Sequence, residues 1–108
     1  MPIYNKLVRD RIPEIIEKQG LEFSSRILDS EEYVAELRKK VLEETGEYLS
    51  AQTNKDAVEE LADVLEIIQA LAEAHGASVQ ELERVRAEKA EKRGGFKERI
   101  YLIEVKDA

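Results

Sequence analysis

At 108 residues, with 43% hydrophobic and 38% charged side chains, the chain reads as one globular domain over 1–108 with a modest core. It has no cysteine and one histidine, His75, which excludes a disulfide scaffold, Cys-ligated zinc or iron–sulfur, thiol catalysis, and any site needing two histidines from one chain. The net charge of −7 argues against unaided binding to nucleic acid or an anionic membrane. That total is unevenly spread. Residues 29–75 carry a net −9, residues 84–99 a net +4, and Lys6, Arg9 and Arg11 cluster near the start. No apolar run is as long as a membrane span, and the opening residues lack the apolar stretch of a secretory signal. A soluble, cytoplasmic protein is expected.

Residues 3–9 read as an irregular lead. Arg11 to Gln19 suits a short helix, with Pro13 tolerated in the first turn, Gly20 as its stop, and Ile12, Ile15 and Ile16 as its buried side. Residues 22–28 alternate weakly and suit a short strand. Asp29 with Glu32 forms an N-cap pair that opens a long helix running to about Gln52. Asn54 is the expected N-cap of the next helix, which runs to about Ala74 with Gly76 beyond it. Ser78 and Glu81 fit a capping box opening a third long helix, ended by Gly94 and Gly95. Ile100 to Val105 is rich in β-branched residues and reads as a strand, paired with 22–28 because a lone strand is unstable. Phe96 and Tyr101 are expected in the core, with stacking on a ligand's base as the alternative, and His75 at a helix C-terminus, where the dipole favours it.

The long helices carry carboxylates on their apolar sides. In the first, Val34, Leu37, Val41 and Tyr48 form the core stripe, and Glu44 takes a place on that seam. Glu47 lies one turn on and Glu43 on the flank. In the second, Leu61, Leu65, Ile68 and Ala72 make a stripe that Val64, Ile67 and Leu71 widen, while Glu60 and Asp63 share a face continuing into Ile67 and Ala70. Helices joined by a short turn pack antiparallel, so Glu44 and Glu47 should meet Glu60 and Asp63. Four carboxylates converging on an apolar interface repel one another and are costly to bury. A hard divalent cation, Mg²⁺ or Mn²⁺, relieves both costs. The blander alternative pairs them with Lys39, Lys40 or Lys55 on a solvated face. No Walker A motif, EF-hand loop or dinucleotide fingerprint offers a rival site.

The series Glu43, Glu44, Glu47, then Glu60 and Asp63 after a twelve-residue gap, matches E-E-x-x-E … E-x-x-D. It resembles the MazG-like all-α nucleoside-triphosphate pyrophosphohydrolase superfamily, which includes dimeric dUTPases and phosphoribosyl-ATP pyrophosphohydrolases. The stretch from Tyr4 to Ile16 is similar to the opening of its phosphoribosyl-ATP pyrophosphohydrolase-like house-cleaning branch, and Lys92 to Leu102 to that branch's C-terminal end. The likeness covers nearly the whole chain. It implies a mainly α helical bundle, with Mg²⁺ (or Mn²⁺ in its place) held by Glu44, Glu47, Glu60 and Asp63. It also implies hydrolysis of a nucleoside triphosphate, noncanonical or surplus, to monophosphate and pyrophosphate by water attack at the α-phosphorus. On this reading Glu43 is the candidate to position or deprotonate the water. Lys6, Arg9, Arg11, Arg93 and Lys97 are the candidates for the phosphates. The Gly94–Gly95 backbone either lets a phosphate approach or simply caps the helix. Phosphoribosyl-ATP is an alternative substrate, and a non-catalytic helical interaction module an alternative of another class. A homodimer is expected, because Val64, Ile67 and Leu71 widen the apolar surface beyond what one neighbouring helix covers, and a second copy would complete a four-helix core.

Overall fold

Local capping chemistry sets the helix boundaries. The computed structural model describes residues 2–107, which form α1 (Ile12–Lys18), α2 (Ser30–Leu49), α3 (Asn54–Ala74) and α4 (Val79–Arg93). The chain is mainly helical, and none of the described helices is long and apolar enough to cross a membrane.

At the start of α2 the Glu32 N–H donates to Asp29 Oδ1 at 2.8 Å, and the Glu32 carboxylate accepts in return from the Asp29 N–H. Ser78 and Glu81 form the same reciprocal pair at the start of α4. The first helix closes at Gly20, whose φ of 75° is a left-handed conformation that glycine adopts without strain. Two boundaries differ from expectation. α2 ends at Leu49, with Ser50 as its C-cap, rather than near Gln52. The N-cap of α3 is Thr53, not Asn54: its hydroxyl accepts from the Asp56 N–H at 3.1 Å, leaving Asn54 as the first helical residue.

With four residues between them, α2 and α3 fold back on each other as an antiparallel hairpin, the only extensive helix–helix packing among the described residues. Leu37 and Ile67 are the buried side chains of its seam, 4% and 9% exposed. The stripe that α3 turns toward α2 is Glu60, Val64, Ile67 and Leu71, spaced four, three and four apart. This reverses the expected order. Leu61, Leu65 and Ile68, expected in the core, are exposed instead. A helix that is apolar on two sides has no intrinsic preference between them. The partner decides, and α2 takes the side that completes its own stripe of Leu37, Val41 and Glu44.

α4 meets α3 only sparsely, and α1 approaches none of the other helices closely. The segments 22–28 and 100–105 are not strands. Each lacks regular secondary structure and has no ladder partner among the described residues, so the short terminal β element is absent there. Phe96 and Tyr101, expected in the core, are 97% and 88% exposed. The result is an elongated molecule of 67 × 35 × 23 Å with a radius of gyration of 18.7 Å, against about 13 Å for a compact chain of this length.

The turn between α2 and α3 positions everything described next, so its cap is a sensitive point. Thr53→Ala is expected to lower unfolding stability by about 1 kcal/mol in a urea titration. The circular dichroism of the folded state should be nearly unchanged.

Candidate metal centre and adjoining cleft

The seam places two glutamates where packing alone would call for apolar residues. Glu44 follows Leu37 and Val41 along α2, and Glu60 precedes Val64 and Ile67 along α3. Antiparallel pairing brings them together at the turn end of the hairpin, where Glu47 joins from one helical turn beyond Glu44. One carboxylate oxygen from each of Glu44, Glu47 and Glu60 lies within 4.8 Å of the other two.

The electrostatics of this group are unfavourable as it stands. Partial burial, then the charges of Glu47 and Asp63, push the Glu44 carboxyl above its ordinary value, opposed by Lys40. The Glu60 carboxyl is raised for the same reasons, burial first. Oε2 of Glu60 is shielded from solvent and has no hydrogen-bond partner. Three clustered carboxylates, one of them with a shielded and unpartnered oxygen, are a donor set that a hard divalent cation satisfies, with all-oxygen ligation. The three residues therefore fit Mg²⁺ or Mn²⁺.

The fourth expected ligand is engaged elsewhere. Asp63 accepts from Arg9 Nη2 at 2.6 Å, so the lead segment is tied to α3 through one of the acidic positions. Asp63 still contributes its negative charge to Glu44 and Glu60. Glu43 lies outside the three-carboxylate group, exposed on the rim one turn from Glu47. The solvated-face alternative is met only in part. Lys40 Nζ stands 3.9 Å from Glu44, with the two side chains 23% and 15% exposed, while Lys39 pairs with Glu36.

A cleft of about 470 Å³ adjoins the carboxylates. Its floor is Leu37, Ile67 and Ala70. The lead segment from Leu7 to Arg11 forms one wall, and Tyr33, Lys40 and Glu44 of α2 another. Arg9, Arg11 and Lys40 give it three cations, set against the carboxylates of Asp10, Glu44 and Glu66. Of the expected phosphate contacts, Arg9 and Arg11 are thus brought to the site. Lys6 is not among the lining residues, and its ammonium lies 5.5 Å from the Tyr4 ring centroid. Arg93 and Lys97 are not there either. Arg93 borders a separate hollow with Gly94, Gly95 and Phe96 at the far end of α4. Sequence reasoning missed Tyr33 as a cleft wall and Lys40 as a cation of the site. Both stand on the stripe 33, 37, 40, 44, and following that stripe N-terminally from Glu44 would have found them.

No protein-family model, curated protein or solved structure matches the chain.

Because the folded chain holds Glu44 and Glu60 above the ordinary carboxylate value of 4.5, it binds protons that the unfolded chain releases. Stability of the metal-free protein should fall as pH rises through the raised values. Glu32 works in the opposite sense and lower window. Arg26 and the Asp29 N–H hold it down to about 2, so its contribution is lost only as pH falls from 4.5 toward that value. Metal-free protein should therefore melt at a higher temperature at roughly pH 5 than at pH 8. At neutral pH, saturating Mg²⁺ or Mn²⁺ should raise the melting temperature relative to EDTA, by about 2.7 kcal/mol of stability at a hundredfold excess over Kd. Glu60→Gln should abolish the metal-dependent part while the helical spectrum persists.

Proposed function

We propose that the chain is a Mg²⁺-dependent nucleoside-triphosphate pyrophosphohydrolase, as its resemblance to the MazG-like superfamily implies. The observation that supports this reading best is the meeting of Glu44, Glu47 and Glu60, of which Glu60 also holds a shielded oxygen without a hydrogen-bond partner. Through Glu44 it adjoins a cleft with an apolar floor, in which Arg9, Arg11 and Lys40 stand among the carboxylates of Asp10, Glu44 and Glu66. A nucleoside triphosphate has matching parts: a flat apolar base, a polyanionic chain, and oxygens that share a divalent ion with carboxylates.

When bound, the metal would neutralise phosphate charge and lower the pKa of a coordinated water. The chain's own groups do the rest. Leu37, Ile67 and the Tyr33 ring receive the nucleoside and exclude water from its apolar face. Arg11 and Lys40 hold phosphate oxygens by charge-assisted hydrogen bonds, joined by Arg9 once it releases Asp63. Asp63, so released, faces the acidic group as its fourth carboxylate. The water oxygen bonds to the α-phosphorus, the bond from that phosphorus to the α–β bridging oxygen breaks, and pyrophosphate leaves. Glu43, on the rim, takes the proton of the attacking water. The protein acts as a homodimer, consistent with the large apolar surface the single chain leaves open.

The deciding experiment is pyrophosphate release with Mg²⁺ over canonical and modified nucleoside triphosphates, with phosphoribosyl-ATP in the same panel. Release from at least one triphosphate, lost in Glu60→Gln, is expected. Preference for phosphoribosyl-ATP would transfer the reading to that substrate, and no release from any compound would leave a non-catalytic module. Arg9→Ala separates phosphate binding from architecture. Its ion pair with Asp63 is solvent-exposed and worth at most about 1 kcal/mol, so melting temperature should change little. kcat/KM should fall by at least about tenfold, the loss of one charge-assisted contact. Unchanged kinetics would remove Arg9 from the site.

A further inference from the structure

The pair formed by Arg9 and Asp63 is the one contact that packing of the hairpin does not require. Among the described residues it is the only side-chain hydrogen bond or ion pair that ties the lead and α1 to the hairpin, and α1 approaches no other helix closely. The tie is made at a telling position. Asp63 follows Glu60 by three residues, one turn along the same side of α3. Its charge is felt at Glu44 and Glu60, whose carboxyls it helps to raise. Yet Glu44, Glu47 and Glu60 cluster without it. A carboxylate near enough to act on the centre is thus held out of it by a cation from the lead, at 2.6 Å.

We propose that Arg9 is a latch that sets the metal affinity of the centre: it competes with a divalent cation for Asp63, so that Asp63 exchanges one for the other and the displaced guanidinium turns to an anion in the cleft. The pair is weak enough for the exchange. Its side chains are 60% and 42% exposed, and pairs so exposed hold by a factor of about five at most. A cation entering the centre gains more, from three carboxylates and the shielded Glu60 oxygen. Arg9 also has a place to turn to, since it lines the cleft together with Arg11 and Lys40.

The latch links two ligands. While Arg9 holds Asp63, four carboxylates are open to a cation only in the fraction of molecules where the pair has parted, and the apparent metal affinity falls by that fraction. An anion that draws Arg9 away raises metal affinity by the factor by which the metal raises that of the anion. Metal and anion therefore favour each other through Arg9, beyond any contact between them. The exchange at Asp63 rests on the metal-centre reading. Only the identity of the anion as a triphosphate rests on the hydrolase reading.

The test is a double-mutant cycle on Mn²⁺ affinity, with free Mn²⁺ measured by electron paramagnetic resonance in the absence of nucleotide. Arg9→Ala should tighten Mn²⁺ binding by about two- to fivefold. The same substitution in protein that already carries Asp63→Asn should leave the affinity unchanged, because the group competed for is gone. Equal tightening in both backgrounds would be an effect of charge through space and overturns the latch, as does no tightening in either. Circular dichroism confirms that each variant keeps its helices.

A second measurement follows the wild-type side chain directly. In ¹⁵N NMR spectra the Arg9 Nε–H resonance is assigned by its loss in Arg9→Ala. Saturating Mg²⁺ should move it toward the position it takes in metal-free protein carrying Asp63→Asn, and a resonance that Mg²⁺ leaves in place overturns the exchange. Wild-type protein that binds no Mn²⁺ would remove the metal centre and the latch together, whereas Mn²⁺ binding that Arg9→Ala leaves unchanged removes the latch alone. The expected cycle in a protein that releases no pyrophosphate would keep the latch and discard the hydrolase.

Discussion

Two glutamates on an apolar helix seam are the constraint on which the molecule turns. Glu44 and Glu60 continue the stripes that bury Leu37 and Ile67, so the packing that forms the hairpin also drives like charges together. Local stability and site chemistry are in conflict at that end, and the conflict is resolved by neighbours rather than by substitution. Lys40 approaches Glu44, and Arg9 engages Asp63. The one shielded oxygen left over, on Glu60, marks where the protein's own side chains fall short. A functional centre commonly breaks the packing rules that hold elsewhere in the same element.

Helices were legible because their signals are local. The capping pairs at Asp29–Glu32 and Ser78–Glu81 involve residues three apart, and nothing distant competes with them. Glu44, Glu47 and Glu60 were legible for a related reason: spacing fixes which side of a helix each occupies, and a short turn fixes which ends meet. What could not be read was any choice made by a partner. α3 is apolar on two sides, and only contact with α2 selects Val64 and Ile67 over Leu61 and Leu65. The strand expected at 100–105 rests on β-branched content, which describes a fit to a sheet that these described residues do not contain. The pairing of Asp63 with Arg9 spans fifty-four positions and leaves no periodic trace.

Charge gives the chain its division of labour. The hairpin is acidic and carries the seam. The lead and the region after α3 are basic and carry most of the unpaired cations. The exceptions are Arg9, paired with Asp63, and Arg84 and Arg86, neutralised within α4 by Glu88 and Glu83. Arg26, held by Glu32, serves architecture by bracing the start of α2. The cations without such partners are the ones free to meet an anionic ligand or an acidic neighbour.

Because Glu44, Glu47 and Glu60 all belong to one hairpin, the centre is written into seventeen consecutive residues. Its evolution is correspondingly rigid in one respect and free in another. Inserting a single residue between Leu37 and Glu44 would swing Glu44 by about 100° around α2 and out of the seam, a change that no adjustment elsewhere could reverse. The irregular segment beyond Gly95 has no such register to keep, and it can change length or sequence without disturbing the carboxylates. Variation among descendants of this chain should therefore take the form of substitutions within the hairpin and of insertions and deletions outside it.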